Sequence, residues 1–424
     1  MRASFLLVLS AACAFAEVHT MTLAQALARA TAENPDVQLA RLDVRRAQAQ
    51  VEQTREPYSP KVGAGSGIAK TWGFPASIDG NAPSIVQARI NMTLFDRPLH
   101  WRVEQSRENA RGSEFDVRLK QEDVAYRVAS AFLDAEAAER SAKAAAQEVQ
   151  NLEGVQKIVE TQLAEGRALP SEVKRARNTV AIAQDAAEQF AYAEANAEVS
   201  LAQLLGFPAG DRVKPALEDR ALPAARTQQQ AVGDALSQSA EVRRLESGIK
   251  ARELERKSYK AARMPRVNLV AQYSLLSAIN NFDVYYPRFQ PHNGQIGASI
   301  EIPLLPGKGA KAGLAISDVE IQKLQLELDM TKRRIATDVD QAYRDLARAE
   351  KSRSVRKDSI DLALEDIQVL LAQREEGRAS MADVERARAE EQRAWRAYYE
   401  AQRVVELARL NIQRTTGSLL EALR

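Results

Sequence analysis

The apolar positions of this chain follow two different periods. Over long stretches they step by four and three: Val124, Val128, Ala131, Ala135 and Ala138 in one place, and Ile335, Val339, Ala342, Leu346 and Ala349 in another. That is the spacing of a helical seam, and its small residues require closely packed helices. The two long stretches, Leu99 to Glu165 and Ala310 to Glu376, predict helices of about 66 residues, ~100 Å at 1.5 Å per residue. Each runs into a Gly-Arg turn, and a shorter helix follows that stops near Gly206 or Gly417. Further upstream in each case lies a helix opened by an N-cap, Asn34-Pro35-Asp36 or Ser239-Ala240-Glu241, and stopped by Pro60 or Pro265. At about 24 and 37 residues, the two shorter helices together match a long one, so they can stack end to end beside it.

After each of those prolines the period changes to two. Val62, Ala64, Ile68 and Trp72 share one face of "KVGAGSGIAKTW", and Val86, Ala88, Ile90, Met92 and Leu94 alternate with Gln87, Arg89, Asn91 and Thr93. Further on, Val267, Leu269, Ala271, Tyr273 and Leu275 form one apolar face, and Ile296, Ala298, Ile300, Ile302 and Leu304 another. The predicted strands lie near residues 61–72, 85–95, 266–276 and 294–305. Segments of about ten residues with one apolar and one polar face match tilted strands crossing an outer membrane. A soluble antiparallel sheet with one wet face gives the same alternation. Aromatic residues crowd near the strand ends, at Trp72, Phe74, Phe95, Trp101, Tyr273, Phe282, Tyr285, Tyr286 and Phe289, as a membrane-interface girdle requires.

The whole pattern is written twice. "LAEGRALPSEVKRAR", from Leu163, returns as "QREEGRASMADVERAR", from Gln373, roughly 210 residues later. In that register the two seams superpose without a gap, Phe132 falls on Tyr343, Val173 on Val384, Arg175 on Arg386 and Gly206 on Gly417. An internal duplication, about Asn34 to Gly206 and Ser239 to Gly417, accounts for it.

Composition narrows the class. Aromatic residues are 5% and charged residues 27% of 424, with Lys+Arg 59 against Asp+Glu 57, which suits long helices with solvated faces. A net charge of +2 gives no reason to expect nucleic acid. The first residues read as a secretory signal peptide, 1–16: Arg2, an apolar core from Phe5 to Leu9, and Ala14-Phe15-Ala16 as cleavage site before Glu17. Cys13, the chain's one cysteine, offers the alternative of a lipidated first residue. No later run approaches the ~20 apolar residues of a spanning helix. His19, His100 and His292 are the only histidines, and there is no HExxH, cysteine cluster or phosphate-cradling glycine loop. Acid pairs such as Glu375-Glu376 and Glu390-Glu391 read as solvated helix faces. The expectation is no enzyme, no catalytic residue, no cofactor and no metal.

Four strands cannot close a barrel, since single-chain outer-membrane barrels start at about eight, so several copies must share one. A closure of about twelve leaves an aqueous lumen. The rival reading is a periplasmic coiled-coil transport adaptor or structural protein, which has no need of lipid-facing strands.

The opening "MTLAQALARATAENPDVQLARLDVRRAQAQVEQTREPYSPKV", the "NMTLFD" before the first long helix, both "EGR" turns with their following "EV" and "ADV", and "LLGF" resemble the TolC family of outer-membrane efflux proteins. The second half departs from the pattern with "PLLPG" where the first has "TLFDR". The resemblance implies a fold that is mostly α with a β-barrel contribution: helical hairpins in two repeats, four strands per chain, and a homotrimeric barrel on a helical tunnel. It implies as partners a periplasmic adaptor, an inner-membrane RND or ABC transporter, and outer-membrane lipid. It assigns adaptor docking to the hairpin tips, Gly166, Arg167, Ala168, Leu169 and Pro170, and Gly377, Arg378, Ala379, Ser380 and Met381. It places a periplasmic gate at Asp383, where "ADV" matches the family's "TDV", and at its repeat equivalent Glu172. The alternative is that the tips are plain turns, and the two acids N-terminal helix residues serving the dipole. The expected domains are the signal peptide 1–16, a first repeat 17–206, a linker or equatorial region 207–233, a second repeat 234–418 and a short tail 419–424.

Overall fold

The structure, a computed structural model, describes residues 17–67, 84–216, 227–276, 290–304 and 307–422. The signal peptide with Cys13, the distal strand positions Ile68 and Trp72, Phe74, the aromatics at 282–289 and part of the linker lie outside the described residues. In chain order the elements are β1 (Val18–Met21), α1 (Leu23–Glu33), α2 (Pro35–Arg55), β2 (Lys61–Gly67), β3 (Ser84–Asp96), α3 (Arg97–Ala164), α4 (Pro170–Leu204), β4 (Arg212–Pro215), α5 (Gln228–Gln238), α6 (Ala240–Lys260), β5 (Arg266–Leu276), β6 (His292–Glu301), α7 (Gly307–Glu375), α8 (Met381–Thr415) and α9 (Leu419–Ala422). The fold is mostly helical, and two helices, of 68 and 69 residues, dominate it. The chain divides into two compact units: Met1–Leu39 with Arg118–Ala240 and Lys332–Arg424, and Ala40–Val117 with Glu241–Thr331.

The second unit carries a four-stranded antiparallel sheet in the order β2-β3-β5-β6. Its register aligns like with like: Val62, Ile90, Ala271 and Ile296 form one row across the strands, and Gly63, Arg89, Gln272 and Gln295 the next. Because side chains alternate across the pleat, these two rows fall on opposite faces, the first apolar and the second polar. On the polar face Arg89 and Gln295 both donate to Gln272 Oε1, at 3.2 and 3.3 Å, and Thr93 donates to Asn268 at 3.1 Å. On the apolar face Val62 is 72% and Ile296 79% exposed, so a single chain leaves this surface uncovered. The outer edges of β2 and β6 are unpaired among the described residues.

Two details differ from the sequence pattern. The register shifts between Thr93 and Phe95, so Phe95 rather than Leu94 stands opposite Val267; a bulge adds a residue without interrupting the alternation visible in sequence. β6 ends at Glu301, short of the expected 305, which leaves Ile302 and Leu304 beyond its end. Pro303 has no N–H to give a ladder.

Below the sheet Asp96 caps α3 through Leu99 N (2.9 Å), and Tyr58 donates to the Asp96 carbonyl at 2.9 Å. α6 is fastened to α3 by Ser258 on the Pro98 carbonyl (3.0 Å), and by Ser247 and Lys250 on the buried Glu108, the lysine at 2.8 Å. It meets α7 closely enough that a Cβ on Gly313 would lie 2.5 Å from the Tyr259 ring.

The first unit has an extensive core. Phe132, Val124 and Val128 of α3 pack with Leu23 and Leu27 of α1, Leu201 of α4, Val213 of β4, Leu410 of α8 and Leu419 of α9. β1 pairs with β4 in parallel, from Val18 against Arg212 to Met21 against Pro215. The seam residues expected on α7 are buried: Ala342, Leu346 and Ala349 pack on Val405 and Ile412 of α8. Next along the hairpins, Leu152, Val180, Ala183 and Ala389 form one cluster, and Val155, Val159, Val173 and Ala382 another. The last two clusters join α3, α4 and α8, so they bring together both halves of the duplicated sequence.

Candidate functional site

The two turns singled out by the duplication share one hydrogen-bond pattern. Gly166 has φ of 71° and Gly377 of 72°, left-handed values that a Cβ would strain. The Gly166 amide donates to Leu163 O at 3.0 Å and Arg167 N to Gln162 O at 2.8 Å; Gly377 N reaches Arg374 O at 2.9 Å and Arg378 N reaches Gln373 O at 2.8 Å. These paired bonds close a Schellman motif, which satisfies the last carbonyls of α3 and α7 and turns the chain back. The same bonds recur at the far ends of the partner helices, at Gly206 (φ 75°) and Gly417 (φ 71°).

At the tips Gly166, Arg167, Leu169, Pro170, Gly377 and Arg378 are exposed, while Ala168, Ala379, Ser380 and Met381 are half-buried. Arg167 pairs with Glu165, and Arg378 with Glu376 at 3.2 Å, so each tip shows an arginine steadied by its own acid. Ala168 packs on the Val155, Val159, Val173 and Ala382 cluster, which draws both tips to one neighbourhood of the unit. A cleft of 530 Å³ opens there, lined by Gln162, Glu172, Arg175, Ser380, Arg386 and Glu390 among others.

Both acids expected at the gate stand at the third position of their helix and reach back to the N-cap amide. Glu172 Oε2 accepts from Leu169 N at 2.9 Å at the start of α4. At the start of α8, Asp383 Oδ2 accepts from Ser380 N at 3.0 Å while Asp383 N donates to Ser380 Oγ at 3.2 Å, a reciprocal capping box. Arg386 adds a bond to Asp383 Oδ1 at 2.8 Å. The Ser380 hydroxyl, then its amide and Arg386, hold the Asp383 carboxyl below the usual aspartate range.

One constellation went unread in the sequence. Glu148 of α3, 5% exposed, accepts from Arg393 Nε at 2.7 Å on one oxygen and from Arg396 on the other. Arg396 also lies over the Phe190 ring of α4, at 5.2 Å. A second link runs from Arg403 to Asp134. The signal was present: a glutamate beside seam residues Val149 and Leu152, and two arginines three apart on α8, which share a face. Among the described residues no group of three or more His, Cys, Asp or Glu could hold a metal, and no helix is long and apolar enough to cross a membrane.

The model of the outer membrane efflux protein family matches residues 26–207 and 231–418. The outer membrane efflux protein BepC of Brucella suis biovar 1 (strain 1330) is 23% identical over 386 residues, 86% of this chain and 78% of BepC. Among solved structures, a membrane protein from Pseudomonas aeruginosa matches with a TM-score of 0.75 at 17% identity, covering 93% of each chain. The outer membrane protein VceC of Vibrio cholerae matches with a TM-score of 0.72 at 15% identity, covering 93% of this chain and 96% of VceC. With both halves of its sequence matched in this way, the chain belongs to the outer membrane efflux protein family, and it is an efflux channel protein of the outer membrane rather than an enzyme.

Proposed function

We propose that three copies of the chain share one barrel of about twelve strands, continuous with a helical tunnel, and that this assembly is a passive exit duct from periplasm to exterior. The observation that carries the reading is the sheet: among the described residues, four strands with an uncovered apolar face and two unpaired edges, β2 and β6. An exposed edge invites further strands, and closure removes it. β6 of one copy meeting β2 of the next consumes every edge and gives the apolar face to lipid. The duct forms the outer part of a tripartite efflux or type I secretion system, together with a periplasmic adaptor and an inner-membrane RND or ABC transporter. The same reading takes 1–16 as signal peptide, 17–206 and 234–418 as the two repeats, 207–233 as the link between them and 419–424 as the end piece.

In this reading the tips receive the adaptor. Their exposed, glycine-dependent turns support it. Valine at both Gly166 and Gly377 forces a β-branched side chain into left-handed backbone, at a cost of about 1–3 kcal/mol per turn. Export through the complex is expected to fall sharply while the assembly persists in the outer membrane. Unchanged export by the double variant contradicts tip docking.

The gate belongs to the same proposal: symmetry turns Glu172 and Asp383 into rings of three carboxylates at the periplasmic end, which favour cations. In planar bilayers, Glu172→Ala with Asp383→Ala is expected to lower cation preference and block by multivalent cations. If only thermal stability falls and selectivity is unchanged, the two acids are caps and nothing more.

A further inference from the structure

The first residue after the A-x-A motif, Glu17, has its backbone nitrogen 3.1 Å from Asp211 Oδ1. Its carbonyl accepts from Arg212 N at 2.9 Å, and Val18 follows in register with Arg212. Asp211 is a built receptor for this nitrogen. Its side chain is only 13% exposed, and its second oxygen lies 3.4 Å from His19 Nε2. The His19 ring stacks on Phe207 at 4.3 Å, and the Arg29 guanidinium, anchored on the Leu205 carbonyl at 3.1 Å, lies 3.9 Å from the same Phe207 ring. The cations of β4 are committed elsewhere, Arg212 to Glu198 at 3.7 Å and Lys214 to Glu139 at 3.4 Å. Among the described residues His19 is therefore the one side chain that pairs with Asp211. A mostly covered carboxylate that already accepts from this backbone nitrogen binds it more strongly when the nitrogen carries a positive charge.

We propose that cleavage after Ala16 supplies it: the freed Glu17 nitrogen becomes an α-ammonium seated on Asp211, so maturation itself fastens β1 to β4. The step is a hydrolysis by a signal endopeptidase. Water adds its hydroxyl to the Ala16 carbonyl carbon, the C–N bond to Glu17 breaks, and the departing amine takes up the water's proton and one more from solvent. One amide N–H becomes three N–H donors carrying a full charge, and charge-assisted bonds are roughly twice as strong as neutral ones. β1 has only four residues, so an ionic anchor at its first bond matters more than it would on a long strand. The proposal rests on the signal-peptide reading and not on the duct reading. A start at Cys13 would leave Cys13, Ala14, Phe15 and Ala16 ahead of Glu17 and put no charge at Asp211.

The test uses full-length protein matured in cells and purified from the outer membrane. Intact mass is expected to give Glu17 as first residue. Labelling of the α-amine with 2-pyridinecarboxaldehyde is expected to run about tenfold slower than in Asp211→Asn, the factor that one tenfold stabilisation of the ammonium form provides. An alanine inserted between Ala16 and Glu17 displaces the ammonium without touching Asp211, and it is expected to restore fast labelling by itself. A first residue other than Glu17, or equal labelling rates in the unaltered and alanine-extended proteins, overturns the proposal. Bilayer conductance of the same samples reports on the duct separately.

Discussion

Alanine at both Arg393 and Arg396 is expected to destabilise the helical hairpins by about 3–5 kcal/mol, because it leaves the Glu148 carboxylate buried with no counter-charge. Each arginine serves one oxygen of a side chain that is 5% exposed. The lower end of the range is favoured: Arg393 is itself 46% exposed, so water reaches that side of the cluster. The cluster ties α3 of the first repeat to α8 of the second, and its loss therefore loosens one half of the duplicated sequence from the other. Thermal unfolding in detergent, followed by circular dichroism, reads the effect. Adding Glu148→Leu to the double variant is expected to recover most of the loss, since removing the charge removes the penalty. An unchanged melting temperature in the double arginine variant contradicts the clamp.

Phe132→Ala carries a comparable cost by a different route. Phe132 is 0% exposed, in a core assembled from α1, α3, α4, β4, α8 and α9, so truncation loses both its apolar burial and the packing around the void. Such substitutions cost about 3–5 kcal/mol. Its repeat counterpart Tyr343 is only partly buried against the Ala342, Leu346 and Val405 cluster, and Tyr343→Ala is expected to cost clearly less. Equal losses at the two positions would mean that the repeats are equivalent in packing, against the asymmetry of burial seen here.

The contrast between Phe132 and Tyr343 shows what was legible in the sequence. The duplication aligns them, but neither it nor the seam spacing says which copy faces the more closely packed core. The four Schellman glycines were readable because only glycine takes left-handed φ without strain, so the residue type itself carries the geometry. The strand faces were readable for a similar reason: a period of two has one apolar side, whatever covers it. β1 and β4 were not. They are four residues each, too short for a pattern, and their pairing joins positions nearly two hundred residues apart, which local sequence does not encode. The bulge at Thr93–Phe95 and the early end of β6 depend on single residues within otherwise regular alternation. Of the candidate site, the turns are evident in the sequence, whereas the Glu148 clamp shows there only as a glutamate beside Val149 and Leu152 and two arginines three apart, a weak signal until the partners are placed.

The proposed duct requires the four strands to be a third of a barrel. Light scattering of the detergent-solubilised protein, corrected for bound detergent, measures this directly. The result expected is a particle of three chains, stable on dilution. A folded particle of one chain, or a protein that fractionates with the soluble periplasm, would contradict the shared barrel and the duct built on it.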